Sequence, residues 1–206
     1  MEERMTFELG KNRIEALSDG IFAIAMTLLI LELHVPDLAH NAGNAQLWPA
    51  LKHLGPKFLT YGFSFITLGV YWVGHHNMYH AIRRSDRVLL SLNILFFMLV
   101  SFLPFATSIL NAFPMAQIGT LLFGANIAAI GWILCFQWIY ASRKADMLQP
   151  YVGKEYRDMV ATRFFGIPLV VTVTTLVCFW SIPVCLGVYL ICLPFYMIPG
   201  RVVGRT

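Results

Sequence analysis

The side chains that could do chemistry in this chain gather in three short stretches. Arg13, Ser18 and Asp19 open one apolar run, Trp72, His75, His76, Asn77 and His80 share one decapeptide, and Asn93 sits inside another apolar run. An aspartate or histidine in such surroundings can carry a proton, and His76 and His80, spaced i, i+4, have the separation for two imidazoles to share a metal on one helix face. No cysteine or carboxylate in the same segment completes that site, so an interior pair of imidazoles is expected and no metal. Glu15 and Asp19 also fall on one helical face, but a Lys11–Glu15 helix pair accounts for Glu15 without paired-carboxylate catalysis. No nucleophile motif, glycine-rich phosphate loop or cysteine-pair site occurs. An enzyme is therefore not expected, nor a cofactor.

Beyond Asp19 the character changes. With about 100° of rotation per residue, Asp19 points roughly 140° away from Ile24 and Ser18 roughly 120° away. The opposite stripe reads Leu17, Gly20, Ile24, Leu28 and Leu31, with Thr27 on its flank. Arg13 and Asp19 lie about 240° and about 9 Å apart on such a helix, so each must find partners elsewhere. Trp72, His75, His76, Asn77, His80 and Asn93 are the polar residues at matching depth, which predicts a network pinning the first helix to the next two. A structural network is the expected role of Arg13, Ser18 and Asp19, with a proton relay through Asp19 as the alternative. For the bare stripe, helix packing and lipid contact are the ordinary uses.

These residues need helices that cross a membrane. Apolar residues make up 58% of the 206 and charged ones only 13%, whereas a soluble domain carries about 25% charged residues. No Asp, Glu, Lys or Arg occurs between Lys57 and Arg83, between Arg87 and Arg143, or between Arg163 and Arg201, and these windows hold 117 positions. At about 20 residues per span they accommodate one, two and two crossings. With the first run this predicts an all-α integral membrane protein of one domain, residues 1–206, with six spans near 13–34, 57–80, 88–111, 115–141, 163–182 and 184–200. Thirteen of the fifteen Lys and Arg residues then fall on one side, and only Lys52 and Lys57 on the other. That asymmetry predicts cytoplasmic N and C termini. It also makes the net charge of +4 a topological signal, with no nucleic-acid partner implied.

Between spans, residues 35–56 form the long external connection, broken by Pro36, Gly43, Pro49 and Gly55, with a short interfacial helix over 47–54 that sets Trp48 at headgroup depth. Residues 111–115 and the region of Pro183 read as tight turns, and 142–162 as a charged cytoplasmic connection with some helix. Residues 20–31 show no small-residue cleavage pattern before Glu32, so the first run is read as a span and not a signal peptide. Cys135, Cys178, Cys185 and Cys192 fall inside spans and read as apolar filling.

The run RIEALSDGIFAIAMTLLILEL resembles the first-helix signature of the transmembrane-protein-175 family of potassium channels, an arginine followed after three residues by Phe-Ser-Asp. Arg13, Ser18 and Asp19 match it, and Leu17 replaces the phenylalanine. The resemblance continues through YWVGHHNMYH at 71–80 and LLSLNILFFMLVSFLPFATSIL at 89–110. It implies a fold without the usual pore loop, in which helix 1 of each subunit lines a central pore, and, for a single six-helix repeat, a homotetramer. In that family the aliphatic positions matching Ile24, Leu28 and Leu31 are associated with gating and selectivity, and the Arg/Ser/Asp motif with packing and assembly. The chain has no T-V-G-Y-G filter, so rings of backbone carbonyls are not expected to select the ion. Stacked rings of Ile24, Leu28 and Leu31, with the Thr27 hydroxyl nearby, would instead make an ion shed water to pass, favouring potassium over sodium. The expectation is a potassium channel of the cell membrane. The alternative is a proton-coupled secondary transporter that uses Asp19 and the helix 2 histidines.

Overall fold

The computed structural model describes residues 11–41, 43–144 and 146–197. Over these it is built from seven α-helices: α1 (Lys11–Leu28), α2 (Asn44–His53), α3 (Gly55–Ala81), α4 (Arg87–Ala112), α5 (Gln117–Ser142), α6 (Lys154–Val177) and α7 (Ile182–Met197). A 3-10 turn, Leu29–Glu32, prolongs α1. Arg4, Arg201, Arg205 and the end of the last expected span lie outside the described residues.

Four segments are long and apolar enough to cross a membrane: Arg13–Glu32, Arg87–Ala112, Gln117–Ser142 and Lys154–Val177. The two other expected spans fall short for different reasons. The polar residues Thr60, Ser64, Thr67, His75, His76, Asn77 and His80 dilute the hydropathy of α3, and α7 is described over only 16 residues.

Two of the boundaries that differ from the sequence reading have a local cause. Helix α6 begins at Lys154 and not near 163, because its charged first turns remain helical where they dock on the end of α5. The indole of Trp138, itself fully buried, donates to the Arg157 carbonyl at 3.2 Å and packs edge-on against Tyr156 and Phe164. Charge marks where a helix leaves lipid, not where it ends. The second turn falls at 178–181, and Pro183 is the second residue of α7, where its missing N–H leaves no bond unmade.

Helix α5 lies between α4 and α6, while α1 packs on α3 and α4, and α7 on α3 and α6. A helix apolar all round suits that central position. Gly131 lets α6 and α3 approach it: a Cβ there would lie 2.9 Å from Pro168 Cβ and 2.9 Å from the Tyr71 hydroxyl. That hydroxyl donates to the Ile127 carbonyl at 2.8 Å.

At the end of the molecule where α3 passes into α4, Asp86 caps α4 by accepting from the Leu89 N–H at 2.9 Å. Its other oxygen accepts from the Tyr140 hydroxyl and the Lys144 ammonium. Beside it the chain after α5 pairs with the chain after α3, Arg83 N–H to the Met147 carbonyl at 2.7 Å and Gln149 N–H to the Ala81 carbonyl at 2.9 Å. The interfacial helix, α2, is three residues earlier at its start than expected and buries none of its side chains; Lys52 Nζ lies 5.2 Å from the Trp48 ring centroid. Cys135, Cys178 and Cys185 are buried free thiols, and the Cys192 side chain is outside the described residues.

Candidate pore-facing helix and its polar anchor

Helix α1 has two faces of different fate. Ile14, Ser18, Phe22, Ala25 and Leu29, at helical spacing, are buried against α3 and α4. On the other side Leu17, Ile24, Leu28 and Leu31 stand open, Ile24 being 62% exposed and Leu31 63%. Among the described residues no helix covers this seam. Among the described helices, packing within the chain does not account for Ile24. The 3-10 turn adds what periodicity alone does not supply: with about three residues per turn, Leu31 lies more nearly above Leu28 than an α-helix would place it. Thr27 is on the open side, and its hydroxyl donates to the Ile24 carbonyl at 2.9 Å. With its proton committed there, the oxygen retains lone pairs that a cation can use.

The buried face is held by a chain of side-chain hydrogen bonds. Ser18 Oγ lies 3.2 Å from His75 Nδ1, and His75 Nε2 lies 2.9 Å from Asn93 Oδ1. Asn93 Nδ2 in turn donates to the Tyr79 hydroxyl. Since an amide oxygen only accepts, Nε2 carries the ring proton and Nδ1 accepts from the Ser18 hydroxyl, which fits a neutral imidazole. Aromatic rings enclose that imidazole: Phe96 stacks at 5.1 Å and Tyr79 at 4.5 Å between centroids. Nearer the surface, the Trp72 indole donates to Asp19 Oδ1 at 2.8 Å, a second tie between α1 and α3.

The expected network is therefore only partly the one assembled. Ser18 and Asn93 are brought together by His75 as the hub, and Asp19 and Trp72 form a separate pair. His76, Asn77 and His80 are exposed and point away from it; His76 and His80 pack edge-on at 4.8 Å, and His76 stacks on Trp72 at 5.8 Å. Arg13 is exposed too, with no hydrogen bond or ion pair among the described residues. The reason is rotational. His75 and Tyr79 share the buried face of α3, and residues one or two positions on are turned about 100–200° from it. Tyr79 was missed by sequence reasoning, although its i+4 spacing from His75 was the available signal. No group of three or more His, Cys, Asp and Glu side chains that could hold a metal occurs among the described residues.

The sequence match bears on this same region. A family model described as endosomal/lysosomal potassium channel TMEM175 matches residues 13–104, which include Ser18, Asp19, Ile24, Trp72, His75 and Asn93. A potassium channel of Streptomyces collinus is 34% identical over 167 residues, covering 77% of this chain and 80% of that one. The chain belongs to the TMEM175 family. Its fold matches the crystal structure of a lysosomal potassium-selective channel TMEM175 homolog from Chamaesiphon minutus, with a TM-score of 0.79 and 29% identity over 90% of this chain and 95% of that one. The human endosomal/lysosomal proton channel TMEM175 is 35% identical over 171 residues, and this TMEM175 chain spans 33% of its length.

Proposed function

We propose that this TMEM175 protein is a potassium-selective channel in which α1 from each of four identical subunits lines a central path through the cell membrane. The observation that carries the reading is the open aliphatic face of α1, with Ile24, Leu28 and Leu31 uncovered on a helix whose other face is bolted to α3 and α4. Around a symmetry axis these side chains form stacked apolar rings. Such rings expel water, so an ion must lose part of its hydration shell to pass, and potassium loses its shell more readily than sodium. Thr27 offers an oxygen at the same level. In this arrangement six helices, α1 and α3 to α7, cross the bilayer, with the arginine-bearing turns and both termini in the cytoplasm. Helix α2 lies on the outer surface.

A second reading is a proton-coupled secondary transporter that uses Asp19 and the α3 histidines. The human relative is named a proton channel, and Asp19 exposes a carboxylate at the cytoplasmic end of the same helix. Reconstitution into liposomes separates the two. A channel gives a reversal potential that follows the potassium gradient without obligatory proton movement, and strict proton-coupled exchange overturns it. Ile24→Asn should wet the constriction, raising conductance and narrowing the preference for potassium over sodium. Unchanged currents and ion ratios would assign Ile24 to lipid.

A further inference from the structure

At the end of the molecule away from the arginine-bearing turns, α3, α4, α5 and α7 leave a cavity of about 380 Å³ between them, within the range of small-molecule sites. Its lining changes character with depth. His53, exposed, and Lys57, half-buried, line it where α2 passes into α3, while Phe63, Leu110 and Phe123 on its lining are buried and Leu186 is half-buried. From Lys57 to Phe63 is six residues, about 9 Å along α3. Tyr189 also faces the cavity with its hydroxyl bonded to Thr175 Oγ1 at 2.6 Å, so it offers a ring, and Asn111 on the lining holds a buried Nδ2 with no hydrogen-bond partner among the described residues, a donor that an anionic head could use. Lys57 has no ion pair or hydrogen bond to a carboxylate among the described residues. A cation at headgroup level above a mostly apolar shaft complements an anionic head joined to a hydrocarbon chain, and the described residues leave both halves open.

We propose that this cavity binds one acyl chain of an anionic glycerophospholipid of the outer leaflet, with the phosphate on Lys57 and His53. A basic side chain near a membrane surface contributes about 1 kcal/mol toward an anionic headgroup, roughly a fivefold preference. Lys52, on the same side, is engaged with the Trp48 ring and leaves Lys57 as the cation that lines the cavity.

The test is native mass spectrometry of the purified, assembled protein with phosphatidylglycerol or phosphatidylcholine of matched chains, and with inorganic phosphate as competitor. Retention of phosphatidylglycerol should exceed that of phosphatidylcholine by about fivefold, and Lys57→Gln should abolish the difference. Filling the shaft with Leu186→Trp, or with Thr60→Phe if that variant does not fold by circular dichroism, should reduce retention of both lipids. Equal retention by wild type and Lys57→Gln, or full retention by a folded shaft-filled variant, overturns the assignment. Displacement of the lipid by inorganic phosphate alone would make this a free-anion site, and absence of retained lipid would hand the groove to a neighbouring copy; both are contrary outcomes. Bound mass is read here and not current, so the result is separate from the conduction test.

Discussion

His75 is the residue on which the attachment of α1 depends. It joins α1 to α4 through Ser18 and Asn93 while lying 1% exposed, so truncation leaves a buried hydroxyl and a buried amide without their partner. Leaving a buried polar group unsatisfied costs about 1–3 kcal/mol. His75→Ala should therefore lower the thermal midpoint of the detergent-solubilised protein, read by intrinsic fluorescence, whereas His76→Ala, at an exposed position on the same helix, should change it little. Equal effects of the two would remove the hub role. Trp72 and Asp19 form a separate, more exposed tie, and its loss should weigh less on folding because water can replace the bond.

At the scale of elements, the joint between α3, α4 and α5 is electrostatic. Partial burial pushes the Asp86 carboxyl up, but hydrogen bonds from the Leu89 N–H, the Tyr140 hydroxyl and the Lys144 ammonium outweigh it and hold the group below the usual carboxylate range. Lys144 is held above its ordinary value by hydrogen bonds to the Tyr140 hydroxyl and Asp86. A depressed carboxylate contributes stability above its unfolded value and loses it as pH falls through the folded one. The raised ammonium contributes below its unfolded value and loses it as pH rises through the folded one. The thermal midpoint should accordingly be flat through neutral pH and fall on the acid side, below about pH 4. Asp86→Asn should flatten that acid limb by removing the titrating partner; an unchanged limb would mean that other carboxylates set it. The neighbouring elements were legible to different degrees. The charge-free windows made the helices of 87–112 and 117–142 plain, since only a buried or lipid-covered segment can dispense with charge for so long. The start of α6 was hidden, because Lys154, Glu155, Arg157 and Asp158 are polar whether helical or not, and it is docking on Trp138 that keeps them helical.

For the whole molecule, the distribution of basic residues predicts an orientation that surface labelling can read. In intact cells a membrane-impermeant maleimide should modify Lys52→Cys on the outer surface and spare Arg84→Cys until the membrane is opened. The native thiols Cys135, Cys178 and Cys185 are buried and should contribute little background. The reverse pattern would invert the topology and place the cavity beside Lys57 in the inner leaflet. An orientation of this kind does not depend on how the subunits assemble. The proposed path between subunits would, since the seam on α1 is uncovered among the described residues of one chain.

Composition and periodicity alone determined a helical membrane chain, its expected sidedness, and the opposition on the first helix between Ser18 and Asp19 on one side and Ile24, Leu28 and Leu31 on the other. Those features are local: charge is excluded from lipid along the chain, and a helix turns by a constant angle. The tertiary structure decided which polar residues meet, choosing His75 and Tyr79 over His76, Asn77 and His80, and it left the aliphatic seam uncovered by the described helices. It also created the cavity between α3, α4, α5 and α7. These depend on how each helix is rotated against its neighbours, and rotation is set by packing between residues far apart in sequence, which spacing within a single helix does not carry.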